Sequence, residues 1–260
     1  MVRFGILTAQ ASSPKLEHST GEASAEYLSA VIYLSPHKLS GRNLCPDASP
    51  GCIAACLNLA GRGGIFRSGE ASNPIQRARL ERSRRFLADR SAFVDDLAID
   101  IGRLEASAHR IGKLPSVRLN GTSDVPWERV HGSDGRSLFE RFPRVQFYDY
   151  TKSQARALES VQDQRAWPTN YVLSFSRSET TPHGWLRSYL AIGGRVSIVY
   201  SPESHGFHRA RTWTNITLSP SAIVDGDSTD YRFLDAPGTV ALLRAKGPAI
   251  RDRTGFVIRD

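Results

Sequence analysis

The sequence predicts an α/β protein built on a parallel sheet or a partial (β/α) barrel of TIM-like layout, with a cysteine loop after the first long strand. Short apolar segments alternate with helical segments along the chain, which is the pattern of βαβ units. The 260 residues, 40% of them hydrophobic, are enough for one sizeable core. Polar residues follow several strands, at the edge where parallel sheets carry their functional sites.

The domain prediction is a single α/β domain over residues 25–260, after an irregular lead-in over residues 1–24 that is rich in Ser, Ala and Glu. The first long strand is "YLSAVIYLSP", residues 27–36. Pro74 opens a basic helix that reaches residue 89, and Ser91 is a candidate N-cap for a second helix ending at residue 111. These helices form a helical layer within residues 66–112.

The rest of the chain continues the alternation. The predicted strands cover residues 116–121, 144–151, 170–176, 195–200 and 239–247, and the predicted helices cover residues 152–161 and 183–192. No repeat or linker divides the chain, which favours one domain.

Several classes of protein are excluded by the sequence. The longest apolar runs are far shorter than the roughly 20 residues that span a bilayer, and the first residues lack the apolar stretch of a signal peptide. We therefore expect a cytoplasmic protein with no membrane partner. The motifs of serine hydrolases, zinc proteases and dinucleotide-binding folds are absent. The net charge of +8 permits an acidic partner such as nucleic acid without requiring one.

All three cysteines lie within "LCPDASPGCIAACL", residues 44–57. They are Cys45, Cys52 and Cys56. The Ser-Pro dipeptide at Ser49 is typical of a helix start, which would place the last two cysteines one turn apart on one face. The amino end of that helix would favour thiolates and any anionic cluster that they bind.

Four interpretations of this loop are open. A disulfide framework conflicts with the odd cysteine count and the expected reducing compartment. Buried inert cysteines conflict with the Pro, Asp, Ser and Gly residues between them. A structural zinc site needs a fourth ligand, for which His37 is the near candidate. The pattern favours an iron–sulfur cluster, because three cysteines can hold three irons of a [4Fe–4S] cluster and leave the fourth iron open.

Polar residues also follow two later strands. Asn120, Ser123 and Asp124 come after one strand, and Lys152 comes after the next. In a parallel sheet these ends converge at one edge. Each residue has an ordinary alternative role: Asn120 in a strand-end turn, Asp124 as a helix cap and Lys152 as a solvated lysine.

The stretch "QRARLERSRRFLADR", residues 76–90, contains six arginines and two acidic residues. It is either a solvated helix face or a phosphate-binding face for nucleic acid. In the second case Arg82, Arg84 and Arg85 are the residues expected to contact phosphates.

Two further stretches are weaker candidates. Glu203, His205 and His208 lie together in a polar segment and could form a metal or phosphate site. The acidic run over residues 225–235 is interpreted as a tight turn, because it lacks the spacing of a calcium loop.

Three stretches, residues 43–57, 117–128 and 224–247, together resemble the gene-product-88-like proteins of bacteriophages. The first is followed by "GRGG" and the arginine-rich helix, and the resemblance covers most of the chain after the lead-in. It implies a phage or prophage origin and an intracellular role in an infected bacterium. It implies no activity, because the family is uncharacterised.

The order of first strand, three-cysteine loop and βα units with polar strand ends resembles the layout of radical S-adenosylmethionine enzymes. The cysteine spacing, with six and then three intervening residues, is longer than is usual there. The resemblance implies S-adenosylmethionine as a candidate cofactor at the open iron. It makes Arg118, Asn120 and Ser123 cofactor-binding candidates, with Arg118 contacting a carboxylate, and makes Asp124 and Lys152 catalytic candidates.

Two hypotheses follow from the sequence. The first is an iron–sulfur enzyme that acts on a small molecule or a nucleotide. The second is a nucleic-acid-binding protein in which a zinc or iron–sulfur loop is structural and the arginine-rich helix contacts phosphates.

Overall fold

The computed structural model describes residues 4–9, 26–64, 73–163, 165–202 and 222–259. These residues form eight strands and six α-helices. The strands are β1 (Thr8–Ala9), β2 (Tyr27–Val31), β3 (Leu114–Arg118), β4 (Gln146–Thr151), β5 (Tyr171–Ser176), β6 (Val196–Tyr200), β7 (Ile223–Asp225) and β8 (Val240–Arg244). The helices are α1 (Pro50–Ala54), α2 (Pro74–Ala88), α3 (Arg90–Arg110), α4 (Leu138–Arg141), α5 (Gln154–Gln162) and α6 (His183–Ala191).

All eight strands belong to one sheet, in the order β1-β2-β3-β4-β5-β6-β8-β7. Only the β1–β2 pair is antiparallel, and every other pair is parallel. The α/β class is therefore confirmed. Strands β2 to β6 are neighbours in the sheet in the same order as in the sequence. Because they are parallel, their carboxyl ends meet at one edge, and the cysteine loop follows β2 at that edge.

Helix α3 covers one face of the sheet and carries most of the helical part of the larger core. Its buried residues Leu97, Ile101 and Leu104 recur every three or four positions, which gives the helix one apolar stripe. They belong to the same buried cluster as Val117 of β3 and Phe147 of β4. A second apolar cluster lies beneath α6 and joins it to β6 and β8.

A segment between β7 and β8 covers the opposite face. The Ser29 hydroxyl donates to the Tyr231 hydroxyl over 2.9 Å, and the Tyr148 ring lies edge-on to the Tyr231 ring. These contacts reach from β2 to β4, so the segment packs on these strands at the face opposite α3.

Two predictions of local structure are corrected. The lead-in is not wholly irregular, because residues 4–9 include β1 and the backbone amides of Ile6 and Leu7 donate to the buried Asp100 carboxylate. The second helix starts at Arg90 rather than after Ser91. Its N-cap is Asp89, whose carboxylate accepts a hydrogen bond from the Ala92 amide over 3.0 Å.

No helix within the described ranges is long and apolar enough to cross a membrane.

Candidate functional site

A residue shortly before the cysteine loop has an uncommon backbone conformation. His37 has φ 50°, in the left-handed region that side chains disfavour. In this conformation its amide donates to Cys45 Sγ over 3.4 Å, and its carbonyl accepts from the Leu44 amide over 3.1 Å. Such strained residues persist where the surrounding structure fixes them, often at functional sites.

The predicted helix start at Ser49 is confirmed. The Ser49 hydroxyl accepts a hydrogen bond from the Cys52 amide over 3.1 Å, and Pro50 occupies the first helical position. Cys52 therefore lies inside α1, but Cys56 lies just beyond its end, so the prediction that both cysteines share one face of this helix is wrong.

Glu179, which the sequence analysis did not select, holds the start of α1. Its carboxylate accepts from the Gly51 amide and from the Ser49 hydroxyl, each over 2.7 Å. Burial opposes the charged form, but these hydrogen bonds outweigh burial and lower the Glu179 pKa. The signal in the sequence is an acidic residue three positions after the strand β5, at the edge where the other candidates lie.

The end of the loop is held from the arginine-rich helix. Cys56 Sγ accepts from the Asn58 amide over 3.5 Å. The buried Arg79 donates to the Asn58 carbonyl over 3.1 Å and to its side-chain oxygen over 2.6 Å. Arg79 also lies 4.8 Å from the centre of the Tyr33 ring, so this arginine has a structural role.

Lys152 interacts electrostatically with Cys52. Its ammonium donates to the carbonyls of Ser176 and Arg177 over 2.8 and 2.9 Å, and it lies 4.6 Å from the centre of the Phe256 ring. Burial lowers the Lys152 pKa, while the lysine charge acts to lower the pKa of the Cys52 thiol.

The three cysteine thiols are close enough to interact electrostatically. Burial raises the pKa of each one, to about 12 for Cys45, and the neighbouring thiols raise the pKa values of Cys45 and Cys56 further. Within the described ranges, no group of three or more His, Cys, Asp or Glu side chains that could hold a metal ion is found. Because their pKa values are raised, the thiols are protonated at neutral pH, and binding a metal or cluster would release their protons.

The catalytic candidate Asp124 joins the cysteine loop to the ends of β3 and β4. Its amide donates to the Leu44 carbonyl over 2.8 Å. Its carboxylate accepts from the Thr151 hydroxyl, from the Lys152 amide and from Arg156. The structure thus brings Asp124 and Lys152 alongside the cysteines.

Asn120 and Ser123 form the turn behind this edge. The Asn120 side-chain oxygen accepts from the Ser123 hydroxyl over 2.8 Å and from the Val125 amide over 2.9 Å, and its nitrogen donates to Asp149. Both residues are buried and their described contacts organise the turn. Cofactor binding by these two residues stays a prediction.

Arg118 lies on the face covered by the β7–β8 segment. Its guanidinium donates to Asp230 over 2.8 Å and lies 4.6 Å from the centre of the Tyr150 ring. These contacts balance its charge inside the protein, and carboxylate binding by Arg118 stays a prediction.

A family model described as Gene product 88 matches residues 7–260. The chain belongs to the gene product 88 family. This confirms the resemblance to the phage gene-product-88-like proteins, and the match includes the cysteine loop and every polar strand end. No curated protein and no solved structure matches the chain.

The arginine-rich helix of this gene product 88 protein has an inward and an outward side. The partly buried Arg82 donates from Nε to the Tyr33 carbonyl over 3.0 Å, while Arg84 is exposed. Arg85 is half exposed and pairs with Asp96 over 2.7 Å. Phosphate binding by these residues stays a prediction, and Arg82 already has a structural contact.

Two further candidates of the gene product 88 chain came from the sequence. Glu203, His205 and His208 lie outside the described residues. The acidic turn pairs with a neighbouring lysine, because Asp227 accepts from Lys246 over 2.5 Å.

A buried carboxyl beneath the site makes stability depend on pH. Burial raises the Asp149 pKa to about 7, against hydrogen bonds from the Asn120 amide and the Tyr171 hydroxyl that act to lower it. The carboxyl is neutral in both folded and unfolded chains below its unfolded pKa, but must be charged while buried above pH 7. Its contribution to stability is therefore present at low pH and lost as pH rises from about 4 through 7.

We expect Asp149→Asn to remove this dependence. As pH rises from 4 to 8, the wild type should lose roughly 1.4 kcal/mol more than the variant for each unit by which the pKa is raised. Urea unfolding across this range measures it, with exposed Asp96→Asn as the matched control. Parallel curves for the wild type and Asp149→Asn would contradict the prediction.

Proposed function

We propose that this is an iron–sulfur protein whose Cys45, Cys52 and Cys56 bind a [4Fe–4S] cluster with one open iron, and that it is an enzyme acting on a small molecule or nucleotide. One observation carries the proposal: three interacting thiols from one loop lie at the carboxyl edge of a parallel sheet, and each has a group that favours its thiolate. Cys45 and Cys56 accept backbone amide hydrogen bonds, and the Lys152 charge acts to lower the pKa of the Cys52 thiol.

The number of cysteines favours a cluster over a structural zinc ion. A closed zinc site needs four protein ligands, whereas three cysteines suffice for a [4Fe–4S] cluster with one open iron. The order of the first long strand, the cysteine loop and the following parallel βα units supports the same choice.

The chain's own residues have separable roles in this proposal. When bound, the cluster supplies an open iron for substrate binding or electron transfer. The amides of His37 and Asn58 stabilise two thiolates, and Glu179 fixes the helix that carries the third. Lys152 adds a positive charge at the edge that the substrate would approach, in the cytoplasm of an infected bacterium.

Protein purified without oxygen is expected to contain about four irons and four acid-labile sulfides per chain. Cys45→Ser, Cys52→Ser and Cys56→Ser should each lose most of both, because serine is a poor iron ligand. The readouts are iron, sulfide and zinc content with the visible absorption spectrum.

Ile53→Ser is the matched control, because it changes an exposed neighbour in α1 without removing a thiol. It should keep the full iron content. Absence of iron and sulfide from the wild type, zinc without sulfide, or a triple cysteine variant that keeps its iron would each refute the proposal. A spectral change of the reduced cluster on adding S-adenosylmethionine would extend it to radical chemistry.

A further inference from the structure

A cavity of about 300 Å³ opens beside the cysteine loop. One wall is formed by Asn43, Leu44 and Pro46, which flank Cys45, and another by Val125, Pro126, Arg129 and Val130. The volume lies at the lower end of the range of small-molecule sites, and the lining mixes apolar side chains with a few charged groups, as such sites do.

Arg90 places a positive charge at the wall of this cavity. It is exposed, and its guanidinium lies 5.5 Å from the centre of the buried Phe86 ring, which holds it at the wall. No carboxylate within the described ranges lies within ion-pair distance of it. Its positive charge is therefore available to a ligand.

A second guanidinium lines the same cavity from another element. Arg129 donates from one nitrogen to both oxygens of Glu159, over 2.9 and 2.8 Å, and both side chains are exposed. The pair fixes the position of Arg129 and partly neutralises it. A ligand anion would compete with the Glu159 carboxylate for this arginine. An exposed carboxylate is a weak competitor in water.

The one acidic residue of the lining does not cancel these charges. Asp124 is already paired with Arg156 over 2.6 Å. The cavity therefore carries the net positive charge of Arg90, with the shared charge of Arg129 in addition. Guanidinium groups suit phosphate because their donors match its oxygens in pairs.

We propose that this cavity binds a small phosphorylated molecule of about the size of a nucleoside monophosphate. The phosphate would lie between Arg90 and Arg129, and the apolar body would contact Leu44 and Val125. Binding at this place does not depend on a cluster. That the ligand is the enzyme's substrate does rest on the proposed function.

The position of the cavity links its ligand to the cysteine site. Leu44 and Pro46 line the cavity on both sides of Cys45, and the Leu44 carbonyl is fixed by the Asp124 amide. A ligand here would therefore press against the segment that carries the Cys45 thiol.

Titration calorimetry of the metal-free protein tests the proposal, with AMP, phenyl phosphate, inorganic phosphate and adenosine as the probes. At least one of the two phosphate esters should bind roughly tenfold or more tightly than adenosine, because its phosphate would accept charged hydrogen bonds from guanidinium groups. Arg90→Gln should weaken that binding by a similar factor. Glu159→Gln should strengthen it, since it removes the competing carboxylate.

Arg110→Gln is the matched control, because it removes an exposed arginine at the far end of α3 that does not line the cavity. It should leave the affinity unchanged. The proposal is overturned if neither phosphate ester binds better than adenosine, or if Arg90→Gln and Arg110→Gln have equal effects. If the phosphate esters do not bind but the iron and sulfide contents are as expected, the cluster proposal stands and the cavity proposal fails. If the esters bind but iron and sulfide are absent, the cavity proposal stands and the cluster proposal fails.

Discussion

Arg156→Leu is expected to lower the free energy of unfolding by about 3–5 kcal/mol, the range for removing one partner of a buried ion pair. Arg156 donates to Asp124 over 2.6 Å and to the two oxygens of Glu128 over 2.7 and 2.8 Å. All three side chains are at most 7% exposed. Leucine would leave two carboxylates buried without a cation.

The direction of the Arg156 pKa supports this expectation. Burial alone would lower that pKa, yet Tyr171, Glu128 and Asp124 together raise it, so the neighbours stabilise the charged guanidinium. Arg156→Lys should recover only part of the loss, because an ammonium cannot donate to both Glu128 oxygens in the same fork geometry.

Urea unfolding at pH 7 measures the effect, with Arg144→Leu as the control. Arg144 also pairs with a glutamate, but its side chain is 84% exposed, so we expect a change of about 0–1 kcal/mol. The Arg156→Leu deficit should shrink as pH falls, because burial raises the Asp124 pKa and a protonated Asp124 carboxyl no longer needs a cation. A loss below about 1 kcal/mol would show that the buried pairs contribute as little as surface ones do.

The features that the sequence predicted well are those set by neighbouring residues. The start of α1 follows from the preference of serine for the N-cap and of proline for the first helical position, both within the same short stretch. The alternation of strands and helices likewise repeats local apolar patterns. The cap of the second helix is an exception, because Asp89, directly after α2, takes the place of the predicted Ser91.

The features that the sequence did not predict depend on distant residues. Glu179 contacts Ser49 across 130 positions, and Asp100 draws the lead-in onto the domain across more than 90. Arginine side chains illustrate the same limit, because the inward position of Arg79 depends on Asn58 and not on its own neighbours. Local patterns identify α2 as a charged helix but do not show which of its arginines face the core.

The second large effect is expected at Gly51, where a methyl group would strike the contact between α1 and its support. A Cβ there would lie 2.7 Å from Glu179 Oε2 and would also meet the Thr254 hydroxyl. Glu179 cannot move away without losing its hydrogen bonds to the Gly51 amide and the Ser49 hydroxyl. We expect Gly51→Ala to destabilise the protein by about 1–3 kcal/mol, the usual range for overpacking.

Helix propensity acts in the opposite direction, because alanine favours a helix over glycine by up to about 1 kcal/mol. Gly184→Ala in α6 isolates that gain, since a Cβ there would meet nothing within 4 Å. The control should therefore raise the thermal midpoint slightly while Gly51→Ala lowers it. If both variants gained stability, the Glu179 side chain would move aside at little cost and would not fix the position of α1. Loss of stability in Gly51→Ala alone, together with reduced iron content, would show that the distant carboxylate positions the helix carrying Cys52.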